Sequence, residues 1–196
     1  MSEASETTRA ASIRPSYCCC HPNAKGTGCT VRFELHPAHD NVEGSVFVTF
    51  AAQKTVGSFE EGRRILPTFD WENRVVVRLT INEVAEMLEV FRGYREKLED
   101  GNGLFHRTPK ANTVITLEHR VEPVPGYLFG VSRRPVDGEI RRMSLLIAMK
   151  EAIVLTEALS NGLLYMAFGI PKVVSRTASG TSTVQDGSAG PLKEVA

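Results

Sequence analysis

FDWENRVVVRLTINEVAEMLEVFRGYREKL, running from Phe69 to Leu98, holds two secondary-structure elements with no loop between them. Arg74-Val75-Val76-Val77-Arg78-Leu79 is short, β-branched and flanked by polar residues, which predicts a strand. Thr80-Ile81-Asn82-Glu83 then fits a capping box. The Thr80 hydroxyl accepts from the Glu83 backbone, and the Glu83 carboxylate reaches back to Thr80. Apolar residues recur at Ile81, Val84, Leu88 and Phe91, the spacing of a helix that fades near Glu99–Gly103. Glu83, Glu86 and Glu89 between them read as a solvated helix face.

Working outward, the pattern of strands followed by a helix extends in both directions. Cys29, Val31, Phe33 and Leu35 alternate with Thr30, Arg32, Glu34 and His36, as in a strand with one apolar face. Ser45 to Ala51 is a second strand, Arg63 to Phe69 a third interrupted by Pro67, and Arg74 to Leu79 the fourth. After the helix come Leu104–Arg107, Thr113–Arg120, Tyr127–Arg133 and Ile140–Ile147. The turn Val136-Asp137-Gly138-Glu139 joins the last two. A second helix starts at Ala148, sends Met149, Ile153, Leu155, Leu159, Leu163 and Met166 inward, and ends at Gly169-Ile170-Pro171. The expected fold is therefore α+β, with two four-stranded antiparallel sheets and two helices, ββββα repeated twice.

One domain of ordinary size is expected, from 25 to 171, with halves at 26–100 and 103–169. Residues 1–24, with Ser, Thr, Pro and few apolar groups, read as a disordered arm, and 172–196, rich in Ser, Thr and Gly, as a disordered tail. Lys plus Arg number 23 and Asp plus Glu 23, so net charge favours no class of partner and any anion-binding site is a local patch. No apolar run reaches the length of a membrane helix, the N-terminus lacks a signal-peptide core, and the cytoplasm is the expected compartment. Cys18, Cys19, Cys20 and Cys29 lie near one end without the spacing of a disulfide framework, so reduced thiols are expected.

If the apolar faces of the strands point inward, Arg32, Phe47, Arg74 and Arg78 point out. Guanidinium groups bind phosphates and an exposed aromatic stacks a base, the pairing that single-stranded nucleic acid requires. Phe69 and Trp71 extend the stacking surface. The alternative is that Phe47 packs under a helix or at a dimer interface while the arginines pair with Glu34 and Glu72. Other chemistry is weakly supported. His36, His39 and Asp40, or Cys18, Cys20, His21 and Cys29, offer metal ligands without a second paired-ligand motif, so no metal is expected. There is no GxSxG, CxxC, P-loop or GxGxxG, hence no enzyme and no cofactor. His106, beside Arg107 after Gly103-Leu104-Phe105, is the one histidine at a plausible binding position.

With this element order, the chain resembles the single-stranded DNA-binding transcriptional-regulator fold, the Whirly-like group, and is most similar to its small bacterial members. Phe69-Asp70-Trp71-Glu72-Asn73-Arg74 leading into Val75–Leu79, and Gly103-Leu104-Phe105-His106-Arg107, carry the likeness over about residues 26–169. The lysine-rich KGKAAL motif of the plant members is absent, and Lys54 alone stands near the corresponding part of the second strand. The resemblance implies sheets packed crosswise, association through helices, and a non-enzymatic, regulatory binder of single-stranded DNA or RNA. Arg32, Phe47, Lys54, Phe69, Trp71, Arg74, Arg78, His106 and Arg107 are the candidate contacts. A homo-oligomer, most simply a dimer, is expected from Leu163, Leu164, Tyr165, Met166 and Phe168, more apolar residues than one helix side buries. The alternative function is an oligomeric protein-interaction scaffold without nucleic acid.

Overall fold

A computed structural model that describes residues 14–171 has ten strands and two α-helices, two strands more than the sequence predicts. In the first half β1 (Ser16–His21), β2 (Cys29–His36), β3 (Ser45–Ala52) and β6 (Val75–Leu79) form an antiparallel sheet in that order, and α1 (Ile81–Phe91) follows. Between β3 and β6 lies a separate hairpin of β4 (Ser58–Glu60) and β5 (Arg63–Ile65). In the second half β7 (Leu104–Thr108), β8 (Ala111–Arg120), β9 (Gly126–Pro135) and β10 (Arg141–Ala148) form a meander, and α2 (Met149–Phe168) closes it.

The two sheets meet through their apolar faces, and α1 and α2 pack against the same core. Phe129 on β9 is fully buried between the sheets, with its ring centroid 5.0 Å from that of Phe50 and 5.6 Å from that of Phe33. α1 is seated on the second sheet by Phe91, edge-on to Tyr127, whose hydroxyl donates to the Phe91 carbonyl at 2.9 Å. Its capping box is present as the sequence predicts, with Thr80 N donating to Glu83 Oε2 at 2.7 Å.

The first half differs from expectation in strand membership. The arm expected over 1–24 contains β1, whose Tyr17, Cys19 and His21 pair with Phe33, Val31 and Cys29. Residues 1–13 and the tail from 172 lie outside the described residues. The strand expected over 63–69 is no member of the sheet: 63–65 belong to the outlying hairpin, and after Pro67 only Phe69 makes a bridge, to Gln53. Proline supplies no ladder donor, and β1 takes the fourth place in the sheet instead.

The helices differ in extent and phase. α1 stops at Phe91, where Gly93 turns the chain with a positive φ of 75°. Glu83, Glu86 and Glu89 are half-buried rather than a solvated face. Glu83 is spent on the cap, Glu89 pairs with Arg95 at 2.9 Å, and Glu86 meets Glu99. Burial, then the hydrogen bond with Glu99 and the charges of Glu99 and Glu83, hold the Glu86 carboxyl above the usual carboxylate range, against Arg95. On α2 the buried stripe is Ala152, Leu155, Leu159, Gly162 and Met166, whereas Met149 and Ile153 are exposed. A helix apolar on nearly every side does not reveal its inward face by periodicity.

Both ends of α2 are fastened to the first sheet. Glu151 in its first turn accepts from Ala148 N at 3.0 Å and lies 3.0 Å from His21 of β1. At the other end the β2–β3 loop donates to its last carbonyls, Ala38 N to Tyr165 at 2.9 Å and Gly44 N to Met166 at 3.2 Å. A Cβ on Gly44 would come within 2.3 Å of the Met166 backbone, so this approach admits only glycine.

β1 carries buried Cys19 and covers the edge of β2, so a chain of 14–171 should melt cooperatively. One of 25–171 should melt lower by roughly 4–8 °C, the shift that about 2 kcal/mol makes in a domain of this size. Equal midpoints in a thermal melt would show that β1 adds nothing to the core.

Candidate nucleic-acid interface

Strand alternation leaves each sheet with an outer face, and register decides which side chains share it. On the first sheet one row across the strands is Glu34, Phe47 and Arg78, and the next is Cys18, Arg32, Thr49 and Val76. Arg32, Phe47 and Arg78 thus stand on one face, as the alternation predicts. Their surroundings are more committed than the pattern suggests. The Arg32 guanidinium lies 5.3 Å from the Trp71 ring centroid, a cation–π distance, and 3.8 Å from Glu34. Glu34 also takes His36 at 2.8 Å and Arg14 at 3.5 Å. Burial raises the Glu34 carboxyl, but the hydrogen bond and charge of His36, the Arg32 charge and the Arg14 hydrogen bond outweigh it and hold it below its ordinary value. Phe47 is half-buried against the His36 ring at 4.3 Å. Arg78 donates to the Glu43 carbonyl at 3.2 Å, and Arg74 to the Trp71 carbonyl at 2.7 Å. Lys54 and Phe69 lie beyond the end of β3, where Lys54 N donates to Thr68 O at 2.8 Å.

The second sheet presents a different face. One row is Phe105, Val114, Ser132 and Arg142; the next is Arg107, Asn112 and Arg134. Phe105 is 60% exposed. A shallow cavity of about 220 Å³ is lined by Phe105, Asn112, Val114, Ser132, Arg134, Ile140 and Arg142. Among the described residues no carboxylate lies within 4.0 Å of the Arg107, Arg134 or Arg142 guanidinium. An exposed aromatic ring and three unpaired guanidinium groups on one pleated surface can bind phosphates and stack a base.

His106 is not on this face. It points to the other side of β7, with Nε2 2.8 Å from Glu83 Oε1 at the start of α1 but outside hydrogen-bond geometry. Its neighbours Phe105 and Arg107 take the outer positions, because successive strand residues alternate. Phe105, Arg134 and Arg142 are absent from the sequence-based candidates. The exposed Phe next to Arg107 is a local signal, whereas Arg134 and Arg142 join it only through the register of β8, β9 and β10. Among the described residues no three His, Cys, Asp or Glu side chains converge as metal ligands. His36 is held by Glu34 and Phe47, and His39 lies in the β2–β3 loop with Nδ1 3.3 Å from the Pro37 carbonyl. Among the described residues no helix is long and apolar enough to cross a membrane.

With the fold and its faces in view, the molecule is similar to two plant structures. The crystal structure of WHY1 from Arabidopsis thaliana superposes with a TM-score of 0.63 at 18% identity, covering 81% of this chain and 88% of that one. WHY3 from Arabidopsis thaliana gives 0.60 at 19% identity, covering 80% and 90%. No protein-family description and no curated protein matches the sequence. The fold is Whirly-like.

The thiols divide by face in the same way as the arginines. Cys18 and Cys20 are exposed on the outer face, while Cys19 and Cys29 are buried. Burial first, then Glu151 and the neighbouring cysteines, push the Cys19 thiol up to about 12; burial and Cys20 push Cys29 to about 12. Thiolate is the reactive form. Burial and Cys20 also raise the Cys18 thiol, so a thiol reagent at pH 8 should label Cys20 and more slowly Cys18 in the native protein, and Cys19 and Cys29 only after denaturation. Peptide mapping that finds Cys19 or Cys29 labelled in the native state would contradict this.

Proposed function

We propose that this protein is a non-enzymatic binder of single-stranded DNA or RNA acting in the cytoplasm as a homo-oligomer. The observation that carries the reading is Phe105, standing exposed among Arg107, Arg134 and Arg142 on the outer face of the second sheet. The Whirly-like fold agrees with it. Guanidinium groups neutralise phosphates without regard to sequence, and an aromatic ring accepts any base. The first sheet offers a weaker face, since Arg32 is already held by Trp71 and Glu34, and Phe47 is covered by His36.

Titration of labelled single- and double-stranded oligonucleotides at several salt concentrations tests this. Each arginine on a single-strand phosphate adds about 0.7 to the slope of log affinity against log salt. Replacing Arg134 and Arg142 by Ala should flatten the slope by roughly 1.4. Phe105→Ala should cost about 1–3 kcal/mol with little change in slope. Unchanged affinity in the double variant, its fold verified by melting, would sink the reading and favour the scaffold alternative.

The assembly rests on α2. Ile153, Val154, Leu164, Tyr165 and Phe168 are exposed on a helix whose opposite side is already buried in the core, and Phe168 is 82% exposed. A helix apolar on both sides is covered on both. A second copy supplying the same surface is the simplest cover. Light scattering at micromolar concentration should give a dimer or larger, and Leu164→Glu with Phe168→Glu should give a monomer that still folds. A wild-type monomer would rule out this interface.

A further inference from the structure

The hairpin of β9 and β10 runs past the core, and its end carries arginines on both sides. Arg134 and Arg142 occupy the outer face. Arg133 and Arg141 sit directly opposite each other in register and alternate onto the inner side, in line with Phe129, Val131, Met143 and Leu145. The first sheet contributes Arg74, just before β6. The three guanidinium-bearing residues line one cleft of about 590 Å³ between the ends of the two sheets, within the range of roughly 300–1,000 Å³ for small-molecule sites.

Like charges opposite one another on an antiparallel ladder are unfavourable, and among the described residues no carboxylate pairs with either arginine. Asp137 and Glu139 line the same cleft, yet neither lies within 4.0 Å of an arginine nitrogen among the described residues. Arg141 spends one nitrogen on the Asn73 carbonyl at 3.1 Å, and Arg74 one on the Trp71 carbonyl at 2.7 Å. These bonds fix both side chains to the Trp71–Asn73 turn and leave their remaining N–H groups free. An anion with several strong acceptor oxygens meets both needs, offsetting the repulsion and accepting from the fork of each guanidinium.

We propose that the cleft formed by Arg74, Arg133 and Arg141 is a binding site for a phosphate monoester. A dianion suits three arginines lining one concave site better than the singly charged diester of a passing strand does. The group can arrive as the terminal phosphate of a nucleic-acid strand or on a free nucleotide. The site stands on its own geometry, apart from the Phe105 face.

The full chain is titrated calorimetrically with inorganic phosphate and with adenosine 5′-monophosphate. In parallel, labelled oligothymidylates carrying a 5′-phosphate or a 5′-hydroxyl are compared by anisotropy. The nucleotide should bind, and Arg133→Gln with Arg141→Gln should weaken it by roughly tenfold or more, the loss of charge-assisted hydrogen bonds. Arg120→Gln, at the far end of β8, should leave it unchanged. Because Arg141→Gln also removes the bond to Asn73, Asp137→Asn supplies a second reading, and by lifting a negative charge from the rim it should tighten binding. Tighter binding of the 5′-phosphorylated oligonucleotide than of the hydroxyl form, lost in the arginine variant, identifies a strand end as the ligand. Equal oligonucleotide affinities with nucleotide binding intact identify a free nucleotide. Nucleotide binding without any oligonucleotide binding keeps the cleft and removes only the broader function. No binding of phosphate, nucleotide or strand-end phosphate, or nucleotide binding indifferent to the arginine variant, overturns the proposal.

Discussion

Phe129 is the joint on which the molecule turns. Two sheets from separate halves of the chain share no ladder, so their relation is fixed mainly by side-chain packing, with single bonds such as Arg141 to the Asn73 carbonyl at the rim. A ring stacked on Phe33 and tilted on Phe50 commits β9 to β2 and β3 together. Packed aromatic pairs of this kind add about 0.5–1.5 kcal/mol beyond the area they bury. Around the joint, the capped helix α1 binds the second sheet through Phe91 and Tyr127, and α2 spans back to the first. The core is one continuous cluster: aromatic contacts join the two sheets and α1, and α2 enters it through Ala152, Leu155, Leu159 and Met166.

What the core does not use is what the surface offers. β9 and β10 are longer than the apolar layer they cover, so their far ends carry arginines where a buried strand would carry valine. On the first sheet, acidic Glu34 and aromatic Trp71 occupy the cations of the outer face. On the second sheet Arg107, Arg134 and Arg142 have no carboxylate partner among the described residues. A chain with equal numbers of acidic and basic residues thus acquires a polar axis, one end cationic, without any excess in its composition.

Much of the second half was legible because its signals are local. The β-branched and aromatic runs over Thr113–Arg120 and Tyr127–Arg133, and the Asp-Gly turn, point to the same meander. The capping box was readable from four residues. β1 was not. In Ser-Tyr-Cys-Cys-Cys-His the same residue type falls on both faces, so hydropathy shows no alternation, and polar neighbours suggest an arm. The face of β7 was also hidden, since a strand of five residues gives a one-residue ambiguity that exchanges His106 for Phe105 and Arg107. Arg133 and Arg141 are eight positions apart along the chain and become opposites only when the hairpin forms. No window of sequence contains that information.

α2 works as a measured strut. Its first turn is held at the end of β1 through Glu151 and His21, and its last turn is held by the backbone of the loop between β2 and β3. Twenty residues of helix span about 30 Å, so the helix gauges the first sheet from edge to loop. Adding or deleting one residue would turn one end by about 100° against the other and shift it by about 1.5 Å. Neither the loop, pressed to the Met166 backbone at Gly44, nor the apolar stripe has slack to follow. Substitutions along the outer side of α2 are therefore tolerable to this fold in a way that changes of its length are not.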